Sequence, residues 1–254
     1  TDDQPFVVDM TFRLPTQFLG LLGGALLLAM VFSVVALARQ RKKRGSPEPQ
    51  TEATQNRHAP TVGLATAVAY FALLGAGFML VEIALIQKLV LYLGYPVLSL
   101  SVILFALLLG GGLGSLISQR WGVAWASRVA GLATVTVVAY GVLLQHGQGP
   151  IVDATLGWDI RLRCLVTMLL LLPLGAALGM PFPTGLRAVG SHSPGFVPWM
   201  WGVNGLMSVV GSVGAMMIAK FWGFQTTLWC GWAVYALASL LAWSGRPLRT
   251  RSRE

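Results

Sequence analysis

The sequence has little charge and few groups suited to catalysis. Only 11% of its 254 residues are charged, and nine are acidic, whereas about a quarter are charged in a typical soluble domain. The two cysteines, Cys164 and Cys230, and the three histidines lack metal-ligand spacing. The sequence also shows no nucleophile beside a base, no paired carboxylates and no phosphate loop. It therefore predicts no metal, no cofactor and no catalytic residue within this chain.

Apolar residues fill most of the remainder. They make up 55% of the chain, and the mean hydropathy is +0.70. Several apolar runs reach the length of about 20 residues that a helix needs to cross a bilayer. The sequence predicts an all-α, multi-pass bundle of about seven transmembrane helices embedded in lipid. The predicted spans are 16–38, 61–82 or beyond, 97–118, 124–145, 160–181, 197–218 and 223–244.

The segments between the spans predict the domain organisation. The acidic start TDDQPFVVDMTFRLP lacks the basic n-region of a signal peptide, and we interpret it as the tail of an upstream soluble domain. The segment 39–60 is polar and rich in Pro, Glu and Gln, which is typical of a flexible linker. The predicted segments are an upstream tail (1–15), a first transmembrane helix (16–38), a cytoplasmic linker (39–60), a six-helix membrane bundle (61–245) and a basic cytoplasmic tail (246–254).

The basic residues predict the orientation. If the cluster RQRKKR at 39–44 is cytoplasmic, thirteen of the 18 lysines and arginines face the cytoplasm, as the positive-inside rule requires. In the cell (inner) membrane, the N-terminus then lies on the outer side and the C-terminus on the cytoplasmic side. The net charge of +9 does not indicate nucleic acid, because no basic patch is interleaved with aromatic residues.

Small residues recur four positions apart in several spans, a spacing that lets membrane helices approach closely. The pairs are Gly20/Gly24, Gly110/Gly114, Gly175/Gly179 and Gly211/Ala215.

Glu82 is the one acid within a predicted span. On a helical wheel it shares a face with Leu85, Ile86 and Leu89, so the carboxylate needs a partner or a proton. Three interpretations stay open: a structural ion pair or hydrogen bond, a role in substrate or proton handling, and a side chain that reaches solvent.

Depth along the helix favours two partners for Glu82. Arg161 and Arg163 lie at the outer end of the span 160–181, which is the end nearest Glu82. With such a partner, Glu82→Leu would lower stability because it leaves a buried arginine alone.

Asn204 and Ser208 are the other polar candidates within the membrane. With Ser212 they form a stripe at positions i, i+4 and i+8 of the span 197–218. Interhelical hydrogen bonding is one interpretation, and the lining of a cavity is the other.

Four segments carry a family resemblance: TDDQPF (1–6), GFMLVEIALIQKLVLYLGYP (77–96), LGMPFPTGLR (178–187) and WGVNGLMSVVGSV (201–213). Together they resemble the membrane portion of spermidine synthase-like multi-pass proteins, in which transmembrane helices follow a soluble aminopropyltransferase-like domain. The resemblance implies a Rossmann-like domain upstream that holds the methionine-derived donor and the polyamine. Any enzymatic activity would lie in that domain.

A weaker resemblance points to half of a major facilitator transporter. The segment GSLISQRWG (114–122) falls where that family has a Gly-x-x-x-Asp-Arg-x-Gly motif between two helices. Here Ser118 stands at the aspartate position, and Arg120 is displaced by one residue.

These observations lead to one preferred function and two alternatives. The preferred function is the membrane domain of a spermidine synthase-like protein, which anchors and supplies an upstream soluble domain. The alternatives are a transporter-like unit for a small solute, either cationic or neutral, and a structural subunit that contacts other membrane proteins. Because a polyamine path needs several buried acids and only Glu82 lies in a span, the sequence favours the anchor.

Overall fold

The computed structural model describes residues 64–122 and 126–243, together with residues 20, 23 and 24. Within these ranges the chain is helical and forms no strand. The helices are α1 (Leu64–Leu93), α2 (Pro96–Ser118), α3 (Ala126–Thr155), α4 (Ile160–Gly179), α5 (Pro181–His192) and α6 (Val197–Trp243), with a short 3-10 turn (Pro194–Phe196) before α6.

The all-α fold is confirmed in the described ranges, but the predicted number of spans is not. Four helical stretches of the described ranges are long and apolar enough to cross a membrane, or five if the bent pair 128–144 and 149–155 of α3 counts as one. Seven spans are therefore not supported. Apart from residues 20, 23 and 24, the predicted first span lies outside the described residues, as do the predicted N-terminal tail, linker and basic tail.

Helix α1 does not end near Glu82 but continues to Leu93. Its 30 residues extend for about 45 Å, more than the roughly 30 Å of a hydrocarbon core. Gly94 ends the helix with a φ of 78°, and its N–H bonds the Val90 carbonyl at 2.8 Å. This is a left-handed glycine cap, and Pro96 then begins α2.

Helix α6 reverses direction at Gly223, where φ is 85° and ψ is 164°. Gly75 of α1 contacts Asn204, and Gly77 contacts Tyr235. A straight helix would separate Asn204 from Tyr235 by about 46 Å, whereas the two glycines of α1 are about 3 Å apart along the axis. The residues before Gly223 (limb 1, 197–222) and after it (limb 2, 224–243) therefore form an antiparallel hairpin against α1.

The Gly223 conformation gives a direct test of the reversal. A positive φ is costly for a β-branched residue, so we expect Gly223→Val to lower the free energy of unfolding by about 1–3 kcal/mol. Thermal unfolding in detergent measures this effect. Gly214→Val is the control, because this glycine of limb 1 has open space beside it; equal destabilisation of both variants would contradict the assignment.

Glycines let α2 and α4 pack backbone against backbone. A Cβ atom at Gly114 would collide with the carbonyl of Ala176, and one at Gly110 would lie 2.9 Å from the nitrogen of the same residue. Gly175 and Gly179 approach α2 in the same way from the opposite side. The packing predicted from the four-residue spacing is confirmed for these two pairs.

The other helices pack against the hairpin. A Cβ atom at Gly211 of limb 1 would lie 2.7 Å from the Cα atom of Ala76, so limb 1 lies directly on α1. Helix α3 packs on limb 2, where Gly141 accommodates the ring of Trp232. Helix α6 thus packs against α1 and α3, while α4 packs against α2.

Two prolines interrupt the helix between α4 and α5. The sequence did not predict α5 as a separate helix. Pro181 and Pro183 lack an N–H donor. The hydroxyl of Thr184 donates to the Met180 carbonyl at 2.6 Å. Helix α5 then directs Arg187 to the end of α2, where its Nη2 atom donates to the Ser118 carbonyl at 2.6 Å, satisfying a terminal acceptor.

Candidate functional site

Glu82 lies in the interior of the bundle. It is 6% exposed, and it sits in α1 about 27 Å along the axis from Leu64. Its Oε2 atom is buried and has no hydrogen-bonding partner among the described residues. An ionised carboxylate without a partner is strongly disfavoured in an apolar interior, so this geometry suits a neutral acid or a carboxylate that meets a cation.

Limb 2 places a buried tyrosine beside the part of α1 that carries this carboxyl. Tyr235 is 2% exposed and lies within electrostatic reach of Glu82. Its ring packs on Gly77, so closely that a Cβ atom there would lie 3.1 Å from the ring carbons. One turn away, Gly231 faces Val81. The Glu82 carboxyl therefore lies along the contact between α1 and limb 2.

The structure directs Arg163 away from Glu82. Its Nη1 atom donates to the Tyr92 carbonyl at 2.9 Å, and its Nε atom donates to the Trp158 carbonyl at 3.1 Å. Arg161 is exposed at the start of α4, where its backbone N–H donates to Asp159. Arg163 thus joins the start of α4 to the end of α1, and the structure does not bring it to the acid.

The end of α1 beyond Glu82 is tied to the reversal of α6. The Nζ atom of Lys88 donates to Oε1 of Gln225 at 2.6 Å, just after Gly223. The hydroxyls of Tyr92 and Thr155 are 2.7 Å apart, which joins α1 to the end of α3. Both bonds lie beyond Glu82, and they fix the position of that end of α1.

Asn204 and Ser208 bond the backbone of α1. The Nδ2 atom of Asn204 donates to the Phe71 carbonyl at 3.1 Å. The Ser208 hydroxyl donates to the Asn204 carbonyl at 2.9 Å and approaches the Gly75 carbonyl at 3.4 Å. This geometry matches interhelical hydrogen bonding, and it separates both residues from Glu82.

We expect Asn204→Leu to lower the free energy of unfolding by about 0.6–2 kcal/mol, because it removes an interhelical hydrogen bond. Ser212→Ala is the matched control, since the Ser212 hydroxyl bonds Val209 of its own helix. Thermal unfolding in detergent compares the two variants. A larger loss for Ser212→Ala would contradict the role assigned to Asn204.

Aromatic side chains join α1, α5 and limb 1 below Glu82. Phe71 packs edge-on against Phe182 at 5.4 Å, and Phe182 packs against Trp201 at 4.6 Å. The Tyr70 hydroxyl donates to the Pro181 carbonyl at 3.1 Å. This cluster fixes the break between α4 and α5 against α1.

Sequence reasoning missed Tyr70, Tyr235 and Arg187. A tyrosine inside an apolar run was the available signal for the first two, because a buried hydroxyl needs a polar neighbour. Arg187 lies in the segment LGMPFPTGLR, but its acceptor at Ser118 depends on the tertiary fold. No group of three or more metal-ligating side chains occurs in the ranges that the structure describes.

Comparison with known proteins identifies no relative. No protein-family model, no curated protein and no solved structure matches this chain.

Proposed function

We propose that this chain is the seven-span membrane domain of a spermidine synthase-like protein and that it anchors an upstream aminopropyltransferase-like domain. One observation carries the proposal: the three resembling segments within the described residues form a single packed unit. Phe182 of the second segment packs edge-on against Trp201 of the third at 4.6 Å. Phe78 of the first segment lines one groove together with both of these side chains.

The packed unit supports an anchor because its polar groups serve the fold. Asn204, Ser208 and Arg187 bond backbone carbonyls of neighbouring helices. Two further acids of the described ranges, Asp153 and Asp159, are exposed, so Glu82 is the single buried acid there. A path for a polyamine would need several such carboxylates.

Seven spans follow if limbs 1 and 2 each cross the bilayer, α3 crosses once, and residues 16–38 add the first span. Limb 1 has about 39 Å of helix and limb 2 about 30 Å, and both reach the thickness of a hydrocarbon core. The glycine-mediated contacts make α2 and α4 run parallel, while limb 2 runs antiparallel to α1, as alternating crossings require.

The complete natural protein tests the anchor. We expect the sequence before Thr1 to encode a soluble Rossmann-like domain, and membranes that contain the protein to transfer an aminopropyl group from a methionine-derived donor to a diamine. Removal of residues 16–254 should release that activity into the soluble fraction. Further apolar spans before Thr1, or activity that stays with the membrane after the deletion, would contradict the proposal.

Orientation is a separate prediction. Cysteine introduced at Gln4 should react with an impermeant thiol reagent in intact cells, whereas cysteine at Thr51 should react only after lysis. Both experiments use a Cys164→Ser, Cys230→Ser background. The expectation rests on the cluster 39–44 and the C-terminal tail, and labelling of position 51 in intact cells would overturn it.

A transporter-like unit for a small cationic solute is the second candidate, favoured by the buried, unpartnered oxygen of Glu82. Its test is uptake of a radiolabelled diamine into proteoliposomes. Uptake that Glu82→Gln abolishes and Gln87→Leu leaves unchanged would support this function. No uptake above empty liposomes would leave the anchor as the sole proposal.

A further inference from the structure

A groove opens between α3 and α4 at the end of the bundle that carries Arg128. Its volume is about 510 Å³, within the range of about 300–1,000 Å³ typical of ligand pockets. Buried Ala133 and Ala177 form its floor. The remaining lining residues are Trp121, Arg128, Val129, Leu132, Thr136, Pro173, Ala176 and Met180.

The groove has a structural cause. Gly110 and Gly114 draw α4 onto α2, and Gly131 and Gly141 draw α3 onto limb 2. Helices α3 and α4 contact each other where the Tyr140 hydroxyl donates to the Leu170 carbonyl at 3.0 Å. Beyond that bond, small side chains leave the groove open.

The opposite end of the same helix pair is closed. Residues of α1, α3 and α4 leave a void of about 20 Å³ there, between Leu144 of α3 and Leu171 of α4. The open volume is therefore a local property of the Arg128 end and does not reflect loose packing of α3 against α4 throughout.

The lining of the groove is amphipathic along its length. Arg128 and Trp121 lie at its mouth, and both are exposed. Thr136 and Pro173 also line the groove and are exposed, and Thr136 is about 12 Å from Arg128 along α3. That length is most of the depth of one leaflet, which is half of a hydrocarbon core of about 30 Å.

We propose that this groove binds an anionic phospholipid of the leaflet at the Arg128 end. The headgroup phosphate lies at Arg128, the Trp121 ring lies at the interface, and one acyl chain follows α3 toward Thr136. Basic pockets between membrane helices bind anionic headgroups in this way, and a tryptophan at the membrane boundary is typical. The proposal is independent of whether the chain anchors an enzyme or moves a solute.

Native mass spectrometry of the purified full chain tests the site. The protein is titrated with phosphatidylglycerol and with phosphatidylcholine of the same acyl chains. We expect phosphatidylglycerol to bind more tightly, and Arg128→Gln to weaken its binding about fivefold, the effect of one interfacial basic residue. Equal binding of the two lipids to the parent protein would overturn the proposal.

Two further variants separate the site from general surface charge. Arg120→Gln removes an exposed arginine from the same end but outside the groove, and it should leave binding unchanged. Thr136→Phe obstructs the groove at its end away from Arg128 and should weaken the binding of long-chain phosphatidylglycerol more than that of a short-chain form. Unchanged melting temperatures verify folding. An equal loss in Arg120→Gln, or no chain-length effect in Thr136→Phe, would contradict the assigned position of the lipid.

Discussion

Replacement of Gly114 by alanine is expected to destabilise the bundle by about 3 kcal/mol or more. The new Cβ atom would collide with the Ala176 carbonyl oxygen and lie 2.7 Å from its carbon. Both partners are backbone atoms of α2 and α4, so neither a rotamer change nor a flexible side chain relieves the overlap. The expected loss reaches the upper end of ordinary overpacking in a protein core.

Gly112→Ala is the matched control for this effect. Gly112 lies in the same helix and has open space where the Cβ atom would be. Alanine is favoured over glycine within a helix by about 1 kcal/mol, so this variant should be as stable as the parent or more stable. Thermal unfolding in detergent would contradict the α2–α4 interface if Gly112→Ala lost as much stability as Gly114→Ala.

Glu82→Leu is expected to stabilise the protein by about 1–3 kcal/mol, the cost of a buried polar group without a partner. With an arginine partner, the same change would lower stability. The structure reverses the expected sign, because Arg163 bonds the carbonyls of Tyr92 and Trp158. Glu82→Gln should have a smaller effect than the leucine variant, since it keeps a polar group in the same position.

The control for this gain is Gln87→Leu. Gln87 is half-buried on the same helix, so the change raises hydropathy without removing a buried carboxyl. Stabilisation confined to Glu82→Leu would link the gain to the acid. A loss of stability in Glu82→Leu would show that the carboxyl has a stabilising partner. A gain of stability together with loss of diamine uptake would identify Glu82 as a functional group retained at the expense of stability.

The positions of the membrane helices follow closely from the apolar runs. Residues 97–118 were predicted as a span, and α2 runs from Pro96 to Ser118. Glycines four residues apart also identified the α2–α4 contact, since close backbone approach in lipid requires small residues at one helical face. Which two helices pack together was harder to predict, because the same glycine spacing suits any neighbouring helix.

Helix ends and breaks were less predictable. Pro150 was expected to lie beyond the fourth span, yet it is within α3. A proline removes a donor but need not end a helix in lipid, where neighbouring groups donate to the freed carbonyl. The break in α6 was anticipated more closely: the predicted spans 197–218 and 223–244 lie on either side of it, and the chain reverses at Gly223.

The candidate site was predicted in position but not in its contacts. The helical wheel placed Glu82 on the packed face of α1, and the structure buries it. Depth along the helix then suggested an arginine of α4. Limb 2 instead places Tyr235 near the acid, because the reversal at Gly223 returns the chain along α1. That approach depends on tertiary geometry, which the spacing of polar residues in the sequence does not contain.

The reversal at Gly223 has a consequence for biosynthesis. Lys220 is the one charged residue between positions 218 and 228, so no hydrophilic loop has to be translocated between the two limbs. One limb cannot be fully integrated while the other remains in the aqueous phase, because a single residue joins them. On the proposed topology, in which both limbs cross the bilayer, limbs 1 and 2 should therefore leave the insertion machinery together as a helical pair.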